Sequence, residues 1–555
     1  MRHGTRLFLG LALASLSVSQ LAAQPSAEVR VLTDGSSPVE PDQPVNAFLD
    51  PTFDGDGIAY LSAPSASSGG TALVPGMEGA VARDSLSDMA AVTVGQEEKI
   101  LVSGVTYYQS EGMPAQRAFF VARMNTDGSL DPGFGGGLGI VRRALPGDDL
   151  DGLQESDRAK LAVLSDGRFV VAGSAKNAAG SPDFVVLGFN ADGSVNGNFG
   201  SRVDKGVLAR KAGDLTANYR QKAGLTYIDF IHDSTADNVV SSSADTAYDV
   251  TASGDRIYVV GRVRAAAGGS SFFGLAALDA NGELDTTCGG TGKVTLPFRP
   301  YNGKYLEYAV GVAVDSRGRI IIAGKTDGEH PEGTYYHDIA DVAVTRLNAD
   351  CTFDAGFGGI TGKVITNVEW GDQVGDVLVD GAGNVFVGGT DGTGHHNATL
   401  IGYNPNGTLK ANFGNQGVVQ TEVLPSLDTV EELGLAPDGR IVAAVSNNLV
   451  GTSEFILLRY TANGVLEKDG EIHTDLGGPL TAATKALAVQ GDGRIVLGGN
   501  SNASGTQTPT LVRYQFPSRP VFEAPLRDLK IDATREPPPP PKKSFLDRFL
   551  IFFRR

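Results

Sequence analysis

The residues of this sequence best suited to chemistry are histidines, tyrosines, a tryptophan and carboxylates that stand between apolar runs. Residues 326–337 (TDGEHPEGTYYH) combine carboxylates, histidine and tyrosine, which are side chains that general acid–base catalysis uses. Sequence proximity does not place two groups at hydrogen-bond distance, so we predict no catalytic residue. We predict instead that exposed aromatic and imidazole groups bind a ligand; packing against the body of the protein is the alternative. The candidates are Tyr335, Tyr336, His337, Trp370 and His395.

Metal sites are not indicated by the same residues. The adjacent pair His395-His396 lacks the companion ligands of a zinc motif, so we predict no metal site there. Residues 125–131 (NTDGSLD) and 50–56 (DPTFDGD) are similar to part of a calcium loop but lack its full spacing and its closing glutamate. Asx-Gly turns satisfy their own backbone without an ion. We therefore predict no resident cofactor, and structural calcium in these turns is the alternative left open.

Charge and cysteine content exclude several classes of protein. The formal net charge of −18 repels phosphate backbones, so we predict no nucleic-acid partner. The two cysteines, Cys288 and Cys351, are too few for a disulfide scaffold or a structural zinc site. The residues alone leave open whether these two cysteines pair. No serine-nucleophile elbow and no nucleotide-binding fingerprint occurs in a convincing context.

The elements that would position these residues are β-hairpins. In residues 486–499 (ALAVQGDGRIVLGG), two apolar runs flank an Asp-Gly pair, a strong signal for a tight hairpin because these residues tolerate positive φ. A hairpin of this kind recurs seven times along the chain. The segments are 91–104, 162–173, 250–261, 312–324, 377–389, 433–445 and 488–499.

A second motif, a turn that enters the next strand, alternates with the hairpin. Its copies are residues 49–61, 125–141, 190–207, 279–294, 348–364, 404–419 and a degraded copy at 461–472. The alternation gives about four strands per unit; in the last unit we assign them to 471–476, 486–490, 494–499 and 510–515. Such units stack around an axis in a β-propeller, so we predict an all-β, seven-bladed propeller of four-stranded antiparallel blades. Residues 57–61 either complete the last blade or remain in the first, and we favour completion because it removes a sheet edge.

These two motifs resemble those of the delta-60 repeat family of bacterial exported proteins. Residues 125–135 fit the turn form N-x-D-G-x-L-D-x-x-F-G, and residues 166–173 fit the hairpin form D-G-[KR]-[IF]-x-V-x-G. The resemblance covers roughly residues 46–516 and departs at Cys288, at Cys351 and at residues 95–99, where Asp-Gly is missing. It implies a propeller-like surface or secreted protein, and it implies no known activity or catalytic residue.

The ends of the chain predict export. Residues 1–23 read as a signal peptide, with a basic start, an apolar stretch and a small-residue exit. Residues 24–45 are predicted to be a disordered leader, 46–516 the propeller, 517–541 a linker ending in polyproline, and 542–555 a short basic amphipathic tail. The tail is too short to span a bilayer but suits contact with a membrane surface. We predict a periplasmic, outer-surface or extracellular protein, associated with the cell envelope through this tail.

Connection lengths predict which face of the propeller binds. Hairpins and turn motifs leave one face, which we call the turn face, and the longer connections leave the other, the long-loop face. The long connections are assigned to 105–117, 144–159, 208–247, 297–308, 325–340, 366–374 and 390–398. We predict a non-enzymatic scaffold that binds a glycan, protein or surface partner through the long-loop face. The alternative is an extracellular hydrolase or lyase acting on a polymer, which carboxylates and a histidine converging at the axis would favour.

Overall fold

The strands of the protein are arranged in seven four-stranded antiparallel sheets. The computed structural model describes residues 48–61, 81–109, 116–149, 158–176, 181–200, 224–230, 244–264, 270–299, 306–327, 340–368, 371–392, 396–424, 427–447, 454–477, 482–502 and 507–516. Helical residues within these ranges are limited to two 3-10 turns, Gly135–Gly137 and Gly358–Ile360. No helix in this part of the chain has the length and apolar character to cross a membrane.

Each sheet is one blade, and the strands follow the chain from the inside outward. Blade 1 is β2 (Val81–Val94), β3 (Glu97–Gln109), β4 (Gln116–Met124) and β5 (Ile140–Asp149); blade 2 is β6 (Ala159–Val163), β7 (Phe169–Lys176), β8 (Pro182–Phe189) and β9 (Leu225–Ile228). Blade 3 is β10 (Thr246–Ser253), β11 (Arg256–Arg264), β12 (Ser271–Asp279) and β13 (Lys293–Leu296); blade 4 is β14 (Tyr308–Val314), β15 (Ile320–Asp327), β16 (Ala340–Leu347) and β17 (Lys363–Thr366). Blade 5 is β18 (Gln373–Val379), β19 (Val385–Thr390), β20 (Ala398–Tyr403) and β21 (Val418–Thr421); blade 6 is β22 (Asp428–Leu435), β23 (Ile441–Asn447), β24 (Glu454–Tyr460) and β25 (Leu466–Asp475). Blade 7 is β26 (Ala483–Val489), β27 (Ile495–Ser501), β28 (Thr508–Tyr514) and β1 (Ile58–Tyr60).

The first strands of neighbouring blades contact one another around the ring, which makes them the innermost strands. Apolar side chains on the facing surfaces of adjoining blades form the core, as Val186 of blade 2 and Val259 of blade 3 illustrate. Small residues lie near the end of the second strand of several blades, and Gly173 in β7 shows the reason. A Cβ at Gly173 would lie 2.4 Å from the Arg158 carbonyl oxygen and 2.5 Å from Phe119 of blade 1, so only glycine fits this approach. The predicted seven-bladed propeller is confirmed.

The ring closes through the strand nearest the start of the described chain. β1 pairs antiparallel with β28, with Ile58 opposite Val512, so the predicted completion of the last blade is confirmed. Arg513 Nε donates to Asp50 Oδ2 at 2.8 Å beside this junction. The assignment of residues 471–476 to the last blade was wrong: residues 471–475 lie in β25, which pairs with β24 as the outer strand of blade 6. The repeat unit assigned from the sequence therefore begins one strand earlier than the structural blade.

Neighbouring blades are joined at the turn face by a repeated contact. At the joint between blades 1 and 2, the Phe134 ring packs so closely on Gly193 that a Cβ there would lie 2.6 Å from it. The Gly135 N–H donates to the Asp192 carbonyl oxygen at 2.8 Å. Phenylalanine and glycine meet in the same way at Phe199 and Gly282, Phe357 and Gly407, and Phe413 and Gly464. Each of these four joints therefore combines one aromatic contact with one backbone hydrogen bond.

Blades 3 and 4 are joined at the equivalent place by a covalent bond. Cys288 and Cys351 form a disulfide with their Cα atoms 4.9 Å apart, and the backbone bond from Gly289 N–H to the Asp350 carbonyl oxygen remains. Cys288 takes the place of the phenylalanine and Cys351 that of the glycine, with φ at 66°. The pairing that the sequence left open is thus a substitute for the aromatic contact.

The two faces follow from strand direction. Links between first and second strands and between third and fourth strands emerge at the turn face, and the others emerge at the long-loop face. One predicted long connection, 208–247, was wrong because β9 falls inside it. The chain between β8 and β9 joins strand ends at the turn face, so only the part after β9 leads from the long-loop face.

Candidate functional site

The five predicted ligand-binding residues, Tyr335, Tyr336, His337, Trp370 and His395, lie outside the described residues. Their role therefore stays a prediction. The neighbouring His396 is described, and its carbonyl oxygen accepts a hydrogen bond from Asp428 N–H of the next blade at 2.8 Å. The other described histidine, His473, lies on the outer strand β25, where its ring contacts Glu454 and Glu471. Neither histidine stands on an inner strand.

The inner strands instead bring charged residues together around the axis. One equivalent position of the seven inner strands, which we call the axial ring, is occupied by Asp88, Lys160, Asp249, Gly311, Asp376, Glu432 and Ala486. In six of the seven blades the ladder is interrupted by a β-bulge immediately before this position. A bulge re-aims the side chains that follow it, which directs this residue toward the axis.

Sequence reasoning missed the axial ring. The signal for it was present as a charged residue inside an apolar first strand, repeated from blade to blade, as in residues 430–435 (VEELGL). In a regular strand, consecutive side chains point to opposite faces. A search for alternating polar and apolar residues therefore does not detect this pattern.

Three aspartates of the axial ring tie pairs of blades together. In each, one carboxylate oxygen accepts from the next residue of its own strand and the other accepts from the inner strand of the following blade. The cross-blade bonds are Leu161 N to Asp88 Oδ2, Val312 N to Asp249 Oδ2 and Leu433 N to Asp376 Oδ2, each 2.8 Å long. Blade 1 is thereby bound to blade 2, blade 3 to blade 4, and blade 5 to blade 6.

Lys160 is the one cation of the axial ring. Its Nζ lies 3.7 Å from Asp88 Oδ1 and 3.5 Å from Glu432 Oε2. Burial alone would lower the pKa of Lys160, but the surrounding carboxylates outweigh it and raise this pKa. Burial raises the pKa of Asp249 to about 7 and that of Asp376 to about 6, while the pKa of Glu432 is also raised. Asp249 and Asp376 are therefore partly protonated near neutral pH.

A second group of side chains lies toward the long-loop end of the axis. Arg158 stacks over the Tyr248 ring at 5.0 Å, the rings of Tyr248 and Tyr308 stack with centroids 5.5 Å apart, and Lys325 lies over Tyr308 at 5.1 Å. These contacts form a ladder with a cation at each end. It runs across blades 2, 3 and 4.

Glu431 and Lys485 complete this group on the other side of the axis. Lys485 Nζ lies 2.9 Å from Glu431 Oε1, which also accepts a 2.6 Å hydrogen bond from Ser446. Burial would raise the pKa of Glu431, but Lys485 and Ser446, with a smaller effect of Arg158, lower it. We call the six residues Arg158, Tyr248, Tyr308, Lys325, Glu431 and Lys485 the axial mouth. It contains three cations and one carboxylate.

Two other groups of carboxylates contain the residue type that binds metal ions. Asp183, Asp229 and Asp245 place carboxylate oxygens within 4.8 Å of one another, but Asp245 accepts hydrogen bonds from the backbone N–H groups of Phe230 and Arg264. In the turn considered for calcium, Asp127 Oδ1 accepts from the Ser129 backbone at 3.0 Å and from its hydroxyl at 2.6 Å. Asp245 and Asp127 therefore already have protein donors, and Asp127 forms an ordinary Asx turn.

Comparison with known proteins agrees with the fold. The model of a family described as a domain of unknown function (DUF5122) beta-propeller matches residues 99–134, 164–199, 436–467 and 490–515, which lie in blades 1, 2, 6 and 7. No curated protein matches the sequence. The chain is a β-propeller repeat protein, and it is similar in sequence to that family over the matched segments.

Solved structures with a similar arrangement include proteins of different kinds. One is a protein of unknown function from Dyadobacter fermentans, with 9% identity, 78% of this chain and 95% of that chain covered, and a TM-score of 0.35. Another is the β-propeller domain of the Trilobed protease from Pyrococcus furiosus, with 10% identity, coverages of 80% and 99%, and a TM-score of 0.36. A third is an α-L-arabinanase from Penicillium chrysogenum complexed with arabinobiose, with 12% identity, coverages of 70% and 93%, and a TM-score of 0.37. Similarities this low carry no argument about activity.

Proposed function

We propose that this protein is an exported, non-enzymatic propeller of delta-60-type repeats that binds an extracellular partner at its axial mouth. The observation that carries the proposal is the bonding of the axial aspartates. Both oxygens of Asp88, Asp249 and Asp376 accept backbone N–H groups, so these carboxylates hold blades together. A general acid or base has to reach the substrate within hydrogen-bond distance. The axial mouth, in contrast, presents charged groups on its half-buried side chains.

A second candidate function is hydrolysis or elimination on an extracellular polymer. It is favoured by one observation, the raised pKa values of Asp249 and Asp376, because catalytic carboxyl groups often titrate near neutral pH. The same shifts follow from burial of structural carboxylates, and the Lys160–Glu432 pair stands between the mouth and the rest of the axis.

One experiment on the full chain tests both whether the protein binds a polymer and which face of the propeller binds it. Wild-type protein is applied to an array of neutral and acidic polysaccharides and to washed bacterial envelopes, and polymer chain length is measured before and after incubation. Gln373 is exposed beside Lys325, and Ala349 is exposed on the turn face. We expect retention without shortening of the polymer, loss of retention in Gln373→Trp, and normal retention in Ala349→Trp. Shortening of a polymer, or equal retention by both variants, would contradict the proposal.

Export and attachment to the envelope are part of the same proposal. The signal peptide (1–23) and the tail (542–555) lie outside the described residues. The Cys288–Cys351 disulfide supports export because such bonds persist in oxidising compartments. Deleting residues 537–555 is expected to move the protein from the membrane fraction to the soluble fraction. An unchanged distribution would remove the tether from the proposal.

A further inference from the structure

We infer that the axial mouth binds an acidic saccharide, a sugar chain that carries carboxylate groups at intervals. The inference rests on the proposed binding function and names the chemistry of the ligand. It is carried by the ladder Arg158–Tyr248–Tyr308–Lys325, whose geometry places two cations at opposite ends of a stacked pair of rings.

The cations of the ladder are held by aromatic rings and not by carboxylates. Within the described ranges, neither Arg158 nor Lys325 forms an ion pair; Lys325 is close only to the side-chain oxygen of Gln373, at 3.4 Å. A cation–π contact fixes the position of a charge without neutralising it. The ammonium group of Lys325 and the guanidinium of Arg158, whose charge also acts on Glu431, are therefore ordered and still able to bind an anion.

Local charge at the mouth is opposite to that of the protein as a whole. Arg158, Lys325 and Lys485 face one carboxylate, Glu431, in a chain whose net charge is −18. At physiological salt, charges beyond about 8 Å are largely screened, so the charges that act on an acid group at the mouth are these cations, Glu431 and the adjoining axial ring. The more distant acidic surface disfavours a ligand as densely charged as a nucleic acid, with one charge per ~1.7 Å of duplex. A saccharide with widely spaced charges is attracted by the mouth cations and is repelled less by the acidic surface than a nucleic acid.

The form of the mouth favours a saccharide over a protein. Protein interfaces depend on apolar side chains that become buried at their centre. The exposed large apolar residues of the described chain are elsewhere, on turns, outer strands and the closing strand: Tyr60, Phe353, Ile360, Ile365, Leu409 and Val465. In the ladder each tyrosine ring has one face against a cation and the other against the second ring, so the rings are not stacking platforms for a ligand.

The axial ring fixes how deep the acid groups of the ligand enter. Four carboxylates and one ammonium group lie next to the mouth, so a carboxylate is repelled from the interior of the axis. An acid group is consequently held between the mouth cations. Because these stand at both ends of the stack, a ligand with two separated acid groups binds more tightly than one with a single group.

The test uses the full chain and one pair of matched ligands, oligogalacturonate and its methyl ester, in calorimetric titrations. We expect binding of the free acid, at least tenfold weaker binding of the ester, and weakening of the acid complex with rising salt. Arg158→Gln and Lys325→Gln are each expected to weaken binding about tenfold, the size of one charge-assisted hydrogen bond. Arg158→Lys should recover most of the loss, and Lys410→Gln, which removes a charge from the turn face, should have no effect.

Three results would overturn the inference. Equal affinity for acid and ester would show that the carboxylates are not recognised. Unchanged affinity in a correctly folded Arg158→Gln/Lys325→Gln variant, checked by circular dichroism, would place the site elsewhere. If polyglutamate binds as tightly as oligogalacturonate and its binding also depends on Arg158, the mouth is a site for acidic peptides. In each case the proposed function stands if Gln373→Trp still abolishes retention on an array polymer, and it fails if no polymer or envelope is retained.

Discussion

Lys160 of blade 2 and Glu432 of blade 6 meet across the propeller axis, with Lys160 Nζ 3.5 Å from Glu432 Oε2. These blades are not neighbours in the ring, so the contact closes the axis at this level with side chains. Asp88 lies beside the same ammonium group at 3.7 Å. One cation thereby organises carboxylates from several inner strands.

The first prediction concerns this cation. Lys160→Met leaves the buried Asp88 and the half-buried Asp249, Asp376 and Glu432 without a counter-charge, so we expect a loss of about 3 kcal/mol in the free energy of unfolding at pH 7.5. The loss should shrink at pH 5.5, where Asp249 and Asp376 take up protons. Denaturant unfolding at both pH values measures it, and Lys325→Met at the mouth is the matched control, with an expected effect below about 1 kcal/mol. A Lys160→Met loss no greater than that of the control would contradict the role of Lys160.

The second prediction is a pH dependence of the wild type. Asp249 and Asp376 have pKa values of about 7 and about 6 in the folded protein, against 3.8 as the ordinary value. The folded state therefore binds more protons than the unfolded state between about pH 4 and pH 7, and stability falls as the pH rises through this range.

The slope is expected to reach about 1.4 kcal/mol per pH unit for each proton involved. Asp249→Asn keeps an acceptor for the Val312 N–H and removes one titration, so it should flatten the slope; Asp492→Asn on an exposed hairpin should not. Unfolding midpoints from pH 5 to pH 8 measure the effect. A slope of the opposite sign would show that the axial carboxylates titrate normally.

The third prediction concerns the disulfide joint. Cys288→Ser or Cys351→Ser opens a loop between residues 63 apart, and the chain-entropy model puts the loss at about 4 kcal/mol. The double variant Cys288→Phe/Cys351→Gly recreates the contact found at the other joints, and glycine relieves the φ of 66° at position 351. We expect it to recover part of the lost melting temperature and to be insensitive to reductant. A double variant less stable than either single one would mean that the joints are not equivalent.

The fourth prediction concerns ring closure. A chain lacking residues 24–61, with its signal peptide retained, loses β1 and exposes the edge of β28. An exposed edge strand pairs with other chains, so we expect a lower melting temperature and concentration-dependent association. Deleting residues 24–45 leaves β1 in place and is the matched control. Size-exclusion chromatography distinguishes the two, and a monomeric, equally stable 24–61 deletion would show that β1 is dispensable.

The architecture was predictable because its signals are local. Asp-Gly between β-prone runs specifies a hairpin within a few residues, and its sevenfold recurrence specifies a ring. The site was less accessible because the axial mouth joins residues that are far apart in sequence, such as Tyr248 and Tyr308. Glu431 and Glu432 both lie at the axis because a bulge interrupts strand alternation there; charged residues in an apolar strand are visible in the sequence, but the bulge is not. The pairing of Cys288 with Cys351 was equally hidden, since they occupy different positions of the motif.

The pairing of β1 with β28 also sets the order of assembly. Every other strand finds its partner next to it in the chain, so six blades can form as soon as their residues are available. The seventh has to wait until nearly the whole repeat region has been made, because Ile58 and Val512 belong to the same sheet. The segment that forms β1 therefore stays without its strand partner until nearly the whole repeat region has been synthesised.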